Sequence, residues 1–206
     1  MHKVIYFAVC VLFIAAAGCK GNGGSLSKLG PQDTVLAFGD SLTYGVGASV
    51  AESYPSVLSS IIGRNVVRSG VSGETTSRGL KRLPEELRKH RPKILLLCHG
   101  GNDILKRRSL KKAAGNLVSM IAMARKQGVE VVLIGVPRFQ ISLGGASPAE
   151  FYDRVAEQTK VVYLPEALPE LIYDNKYKSD SIHLNAAGYR KLAEAVAELF
   201  EDAGAT

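Results

Sequence analysis

The feature that most restricts the fold is an alternation of two hydrophobic patterns along most of the chain. Five short runs rich in Val, Ile and Leu, namely Thr34 to Phe38, Asn65 to Val67, Ile94 to Cys98, Val129 to Gly135 and Val161 to Leu164, have the length and composition of buried strands. Between and after them, Leu110, Ala114, Leu117, Ile121 and Ala124, and later Tyr189, Leu192, Val196 and Leu199, recur at the spacing of one helix face. Strands that alternate with helices form a parallel sheet covered on both faces, because each parallel crossover runs through a helix. A chain of 206 residues is long enough for one such domain plus a targeting segment. It carries no internal repeat or heptad array.

The amino-terminal residues read differently. Val4 to Gly18 are nearly all apolar and follow Lys3, the pattern of a secretory signal; the run is too short to span a bilayer comfortably. Its end, Ala16-Ala17-Gly18-Cys19, resembles a bacterial lipoprotein signal, cleaved before a cysteine that then carries lipid. The expected organisation is a signal peptide at 1–18, a lipidated Cys19 with a flexible tether at 19–32, and the folded domain at 33–206. The tether begins Lys20-Gly21-Asn22-Gly23-Gly24-Ser25, polar and without periodicity. This places the protein outside the cytoplasm, anchored to a membrane surface through Cys19. Lys20, where an aspartate would signal inner-membrane retention, leans the reading toward the outer membrane and periplasm. Cys10 would leave with the signal and Cys98 sits alone in an apolar run, so the mature chain has no disulfide framework.

In sheets of this kind, ligands bind beyond the carboxyl ends of the strands, where the strand order reverses. The loops after the first three strands begin Gly39-Asp40-Ser41-Leu42-Thr43, Ser69-Gly70-Val71-Ser72-Gly73-Glu74-Thr75-Thr76 and Gly100-Gly101-Asn102-Asp103, and Asp180-Ser181-Ile182-His183 stands near the end of the chain. Each fragment alone is a common turn or helix start. Together they supply the parts of an acyl-transfer site. A serine hydroxyl is a poor nucleophile at neutral pH and needs a base, and the base needs a third group to fix its tautomer. Ser41 fits the nucleophile, His183 the base, and Asp180, three residues earlier, its orienting carboxylate. Asp40 is read as organising its turn, and His99 as packing or support behind the site.

These four blocks resemble, in wording and in order, those of the GDSL or SGNH hydrolase family, over roughly residues 34 to 200. Ser72-Gly73-Glu74-Thr75-Thr76, Gly79-Leu80, Arg82-Leu83-Pro84 and Gly100-Gly101-Asn102-Asp103 are similar to its acyl-CoA thioesterase I, lysophospholipase L1 and arylesterase branch. The fold class expected is α/β, a three-layer α/β/α sandwich with a five-stranded parallel, flavodoxin-like sheet. The resemblance implies catalytic Ser41, Asp180 and His183. It further implies an oxyanion hole made by the backbone N–H groups of Ser41 and Gly73 and the side-chain amide of Asn102, with no cofactor. Glycine and asparagine suit that work, one by having no side chain to obstruct an approach, the other by offering an uncharged NH2 donor. Leu184 stands where the family often has proline after its histidine, a departure that touches local loop geometry.

The formal charge of +7 is moderate, and removal of residues 1–18 takes away only Lys3 among the counted charges. The dense basic stretch Lys106 to Lys112 is compatible with a solvated helix start or with contact to anionic lipid, and no nucleic-acid partner is expected. No metal-ligand spacing, Walker motif or dinucleotide fingerprint occurs. The function expected is a monomeric serine esterase or thioesterase acting on small-molecule or lipid acyl esters, thioesters or lysophospholipids. Two alternatives stand beside it: a carbohydrate or peptidoglycan deacetylating esterase of the same superfamily, since fold and triad do not define the leaving group, and a non-catalytic lipid-binding lipoprotein. The segment Pro137 to Pro148, with Phe139, Ile141, Leu143 and Gly144-Gly145, suits either a movable wall over an acyl chain or an ordinary surface loop.

Overall fold

A computed structural model of the chain describes residues 24–139 and 146–206. The signal peptide, Cys19, Ile141, Leu143 and the Gly144-Gly145 pair lie outside the described residues. Five strands, β1 (Thr34–Gly39), β2 (Asn65–Gly70), β3 (Ile94–Cys98), β4 (Glu130–Ile134) and β5 (Val162–Leu164), form one wholly parallel sheet in the order β2-β1-β3-β4-β5. This is the expected α/β class with the flavodoxin-like strand order. Among the described residues eight α-helices accompany it: α1 (Ser41–Tyr44), α2 (Tyr54–Ile62), α3 (Thr76–His90), α4 (Gly101–Leu105), α5 (Leu110–Lys126), α6 (Phe151–Thr159), α7 (Ala167–Tyr173) and α8 (Ala186–Asp202).

The strand order dictates the layers. The crossover from β1 to β2 moves one way along the sheet, and the crossover from β2 to β3 steps back over β1 the other way. With right-handed crossovers, successive helices therefore fall on opposite faces. Accordingly α2 packs with α8, whereas α3 packs with α5 and α5 with α6. The reversal lies between β1 and β3, so the loops after these two strands diverge and leave a crevice at their carboxyl ends. Strands β1 and β3 are buried nearly throughout, which is why they read as continuous apolar runs.

Two details depart from the sequence reading. Strand β2 runs on through Arg68 to Gly70, past the apolar run that announces it. As an edge strand it tolerates a charged residue, and Arg68 donates to the Tyr44 carbonyl at 2.6 Å with its guanidinium 4.7 Å from the Tyr44 ring centroid. On α5, Leu110 is exposed, and the buried face is Ala113, Leu117, Met120, Ile121 and Ala124.

The stretch assigned to the tether is fastened from Gly24 onward. Leu26 and Leu29 are buried, with their N–H groups donating to the carbonyls of Ala203 and Ala205 at 2.8 Å each. The Ser27 N–H donates to the Glu130 carboxylate at the start of β4, and Lys93, just before β3, donates to the Lys28 carbonyl at 2.8 Å. Residues 24–30 thus form a strap beneath the amino ends of the strands. Its two leucines occur singly in a polar stretch and carry no periodic signal of their own.

Candidate active site

Ser41 opens α1 immediately beyond β1. Asp40 caps this short helix: one carboxylate oxygen accepts from the Leu42 N–H at 3.2 Å, the turn-organising role expected of it. Gly39 before it is required by contact, since a Cβ there would stand 2.1 Å from the Cys98 carbonyl oxygen on the neighbouring strand. The turn is therefore pressed against β3, and Ser41 is held at the crevice.

His183 arrives from the far end of the chain on the loop before α8. Leu184 pins that loop: its side chain is fully buried and its backbone bridges Lys178, so an anchored leucine takes the place of a rigid proline. Asp180 completes a tight turn, one of its oxygens accepting from the N–H groups of Ile182 at 2.8 Å and His183 at 2.9 Å. The other oxygen lies 2.8 Å from His183 Nδ1, and His183 Nε2 lies 3.0 Å from Ser41 Oγ. Burial works to raise the Asp180 carboxyl, but its bonds to the imidazole and to the two N–H groups outweigh this and hold it below its usual value. An ionised carboxylate only accepts, so Nδ1 carries the proton and Nε2 presents a lone pair to the serine hydroxyl. Such an arrangement can take a proton from the hydroxyl and stabilise the resulting imidazolium.

The second and third loops converge on the same crevice. The Val71 N–H donates to the Gly39 carbonyl at 3.1 Å, joining the β2 loop to the end of β1. Gly73 has φ +74, a left-handed backbone that favours glycine. A Cβ there would meet only Lys106 Nζ at 3.8 Å, so backbone conformation, and not crowding from the protein, is the reason for glycine. Asn102, in the first turn of α4, donates through Nδ2 to the second oxygen of Asp40 at 3.3 Å, leaving its other N–H unspent on that bond. Burial pushes the Asp40 carboxyl up, against the favourable charges and donors of His99, Leu42, Asn102 and His183. Ser41, Asp180 and His183 therefore lie in one hydrogen-bonded chain. Asn102 is linked to the residue preceding Ser41, and Gly73 sits on the adjoining loop.

Behind these residues lies a polar cluster that sequence reading left largely unassigned. Glu74 is buried and binds the Arg82 guanidinium through Nε at 3.0 Å and Nη2 at 2.6 Å, and His99 Nε2 at 3.2 Å. Burial alone would raise the Glu74 carboxyl; His99 and Arg82 reverse this and take it down to about 2. The Arg82 guanidinium also lies 4.0 Å from the Phe38 ring centroid. Asp103 makes a second tie, accepting from Thr76 N–H at 2.8 Å and Thr76 Oγ1 at 2.9 Å. Glu74, Arg82 and Asp103 all stand within the motif blocks, but only the fold shows that Glu74 binds Arg82 and His99 and that Asp103 binds Thr76. Cys98 is fully buried in β3, and burial raises its thiol. Among the described residues no group of three or more His, Cys, Asp or Glu side chains is arranged to hold a metal ion.

The chain is similar to known proteins. The family model described as the GDSL-like Lipase/Acylhydrolase family matches residues 37–191. An arylesterase of Vibrio mimicus is 31% identical over a region covering 81% of this chain and 88% of the relative. Thioesterase 1/protease 1/lysophospholipase L1 of Escherichia coli strain K12 is 27% identical, covering 96% of this chain and 90% of that protein. The crystal structure of TesA superposes with a TM-score of 0.73 at 26% identity, over 83% of this chain and 99% of that one. The chain therefore belongs to the GDSL-like Lipase/Acylhydrolase family and is a serine hydrolase of ester bonds.

Proposed function

We propose that Ser41 is the nucleophile, His183 the general base and acid, and Asp180 its orienting partner, in hydrolysis of acyl esters, thioesters or lysophospholipids. Ser41 Oγ attacks the acyl carbonyl as its proton passes to His183 Nε2. The oxyanion is met by the backbone N–H groups of Ser41 and Gly73 and by the Asn102 amide. Collapse expels the leaving alcohol or thiol, which takes the proton from His183, and leaves an acyl-Ser41 ester. Water repeats the sequence, giving up its proton to His183, and releases the carboxylic acid. The observation that supports this most directly is the unbroken chain from Ser41 Oγ to His183 at 3.0 Å and on to Asp180 at 2.8 Å.

The test is Ser41→Ala. Hydrolysis of a short aryl ester and labelling by a fluorophosphonate probe should both disappear, the rate falling by several orders of magnitude, with the circular dichroism spectrum unchanged. Comparable turnover by the folded variant would refute the assignment. For location, we read residues 1–18 as a lipoprotein signal and Cys19 as the lipidated residue of a protein outside the cytoplasm. Cys19→Ser should abolish labelling by a fatty-acid probe and membrane retention, whereas Cys10→Ser should change neither.

A further inference from the structure

Lys106 follows α4 directly, four residues after Asn102, a spacing that puts the two side chains on one face of the turn. Lys106 reaches the Gly73 loop, where its Nζ donates to the Gly73 carbonyl at 2.7 Å. An ammonium has three N–H groups, and this bond uses one. Lys106 is exposed, as are Arg107 and Arg108 beside it, and among the described residues no carboxylate stands within ion-pair distance of any of the three. Arg107 holds a left-handed backbone, φ +50, and the Arg108 N–H donates back to the Asp103 carbonyl at 2.8 Å. The Lys106 ammonium is thus held beside Gly73, and the backbone that carries the next two cations is bonded back to the helix that carries Asn102. Unneutralised positive charge at the rim of a crevice attracts anionic ligands and raises their local concentration.

We infer that Lys106, supported by Arg107 and Arg108, forms an anion subsite on the rim of the Ser41 site, so that preferred substrates are esters bearing a carboxylate or phosphate. The inference rests on the roles proposed above for Ser41, Gly73 and Asn102 and narrows the substrate class of that site. Lys106 is a specificity residue in this scheme, with the other donors of its ammonium directed to the substrate anion and its bond to Gly73 holding it beside the carbonyl undergoing attack.

The experiment compares kcat/KM for two matched pairs of soluble esters. One pair is 4-acetoxybenzoate and its methyl ester, with the charge on the leaving group; the other is phenyl hydrogen succinate and phenyl methyl succinate, with the charge on the acyl group. In at least one pair the wild-type protein should favour the anion by about 5- to 10-fold at low ionic strength, a margin that shrinks as salt shortens the screening length. Lys106→Met should bring that ratio to within about 2-fold of unity, and Lys106→Arg should retain most of it. Equal losses on charged and neutral esters in Lys106→Met would make the residue a clamp on the Gly73 loop and overturn the inference. So would absence of discrimination in both wild-type pairs, or a charge effect confined to esters presented on anionic vesicles. Ser41-dependent hydrolysis of the neutral esters in any of these cases would show that the catalytic assignment stands without the subsite.

Discussion

About half of the Asp180 side chain is open to water, yet its carboxyl is held low because three N–H donors converge on it. A group with a depressed pKa keeps its charge above its ordinary value of 3.8. Loss of activity on acidification above that pH therefore does not report the failure of Asp180. Asp180→Asn should lower kcat by up to about 10,000-fold with KM little changed, because the amide can hold the imidazole in the wrong tautomer and cannot balance its charge. Steady-state kinetics on a short aryl ester check this, and an unchanged kcat would move the orienting role elsewhere. The Asn102 amide, proposed above as an oxyanion donor, also supports buried Asp40. Asn102→Ala should cost about 100- to 1,000-fold in kcat and also about 1–3 kcal/mol of stability, from a carboxylate left short of a donor. Denaturation and kinetics on the same variant measure the two separately.

At the scale of elements, Glu74 joins three parts of the molecule: the β2 loop on which it lies, α3 through Arg82, and the end of β3 through His99. Its folded pKa of about 2 lies below the ordinary 4.5. The stabilisation it provides is thus complete above pH 4.5 and is lost as pH falls through about 2. That difference corresponds to on the order of 3 kcal/mol. Glu74→Gln should forfeit a similar amount at neutral pH and flatten the fall in stability with acid, as followed by urea unfolding from pH 7 to 2.5. An acid dependence unchanged from wild type would mean that other carboxylates govern it. The strap offers a second case. Leu29 is almost wholly buried, with 2% of its surface exposed, and Leu29→Ala should destabilise the domain by about 2–5 kcal/mol while leaving kcat nearly untouched. A flexible tether would give no change at all.

For the whole molecule, what was legible in the sequence followed burial. Strands enclosed on both sides, such as β1 and β3, announce themselves by unbroken apolar runs, and the order of the motif blocks located the crevice between them. Ser41, Gly73, Asn102, Asp180 and His183 are named from residue type, order and resemblance; the fold joins Ser41, His183 and Asp180 by hydrogen bonds, links Asn102 to Asp40 and puts Gly73 on the loop after β2. The buried ties among Glu74, Arg82 and His99 were hidden because their partners lie up to 25 residues apart, a separation that only tertiary contact closes. Leu26 and Leu29 were missed for the opposite reason: two isolated leucines in a polar stretch bury themselves without a periodic neighbour. The strap that they secure also sets the direction in which the molecule faces. It crosses the amino ends of the strands, whereas Ser41 stands beyond the carboxyl end of β1, about 20 Å away along a six-residue strand. Only Lys20 to Gly23 separate Cys19 from Gly24, a span of about 17 Å at full extension. A lipid on Cys19 would make the protein stand on its membrane with the mouth of the site turned to the water, like a cup on a short stem. Lengthening that stem by 20 or so glycine and serine residues should let the lipidated enzyme reach esters in its own bilayer, while its turnover of soluble esters stays as it was.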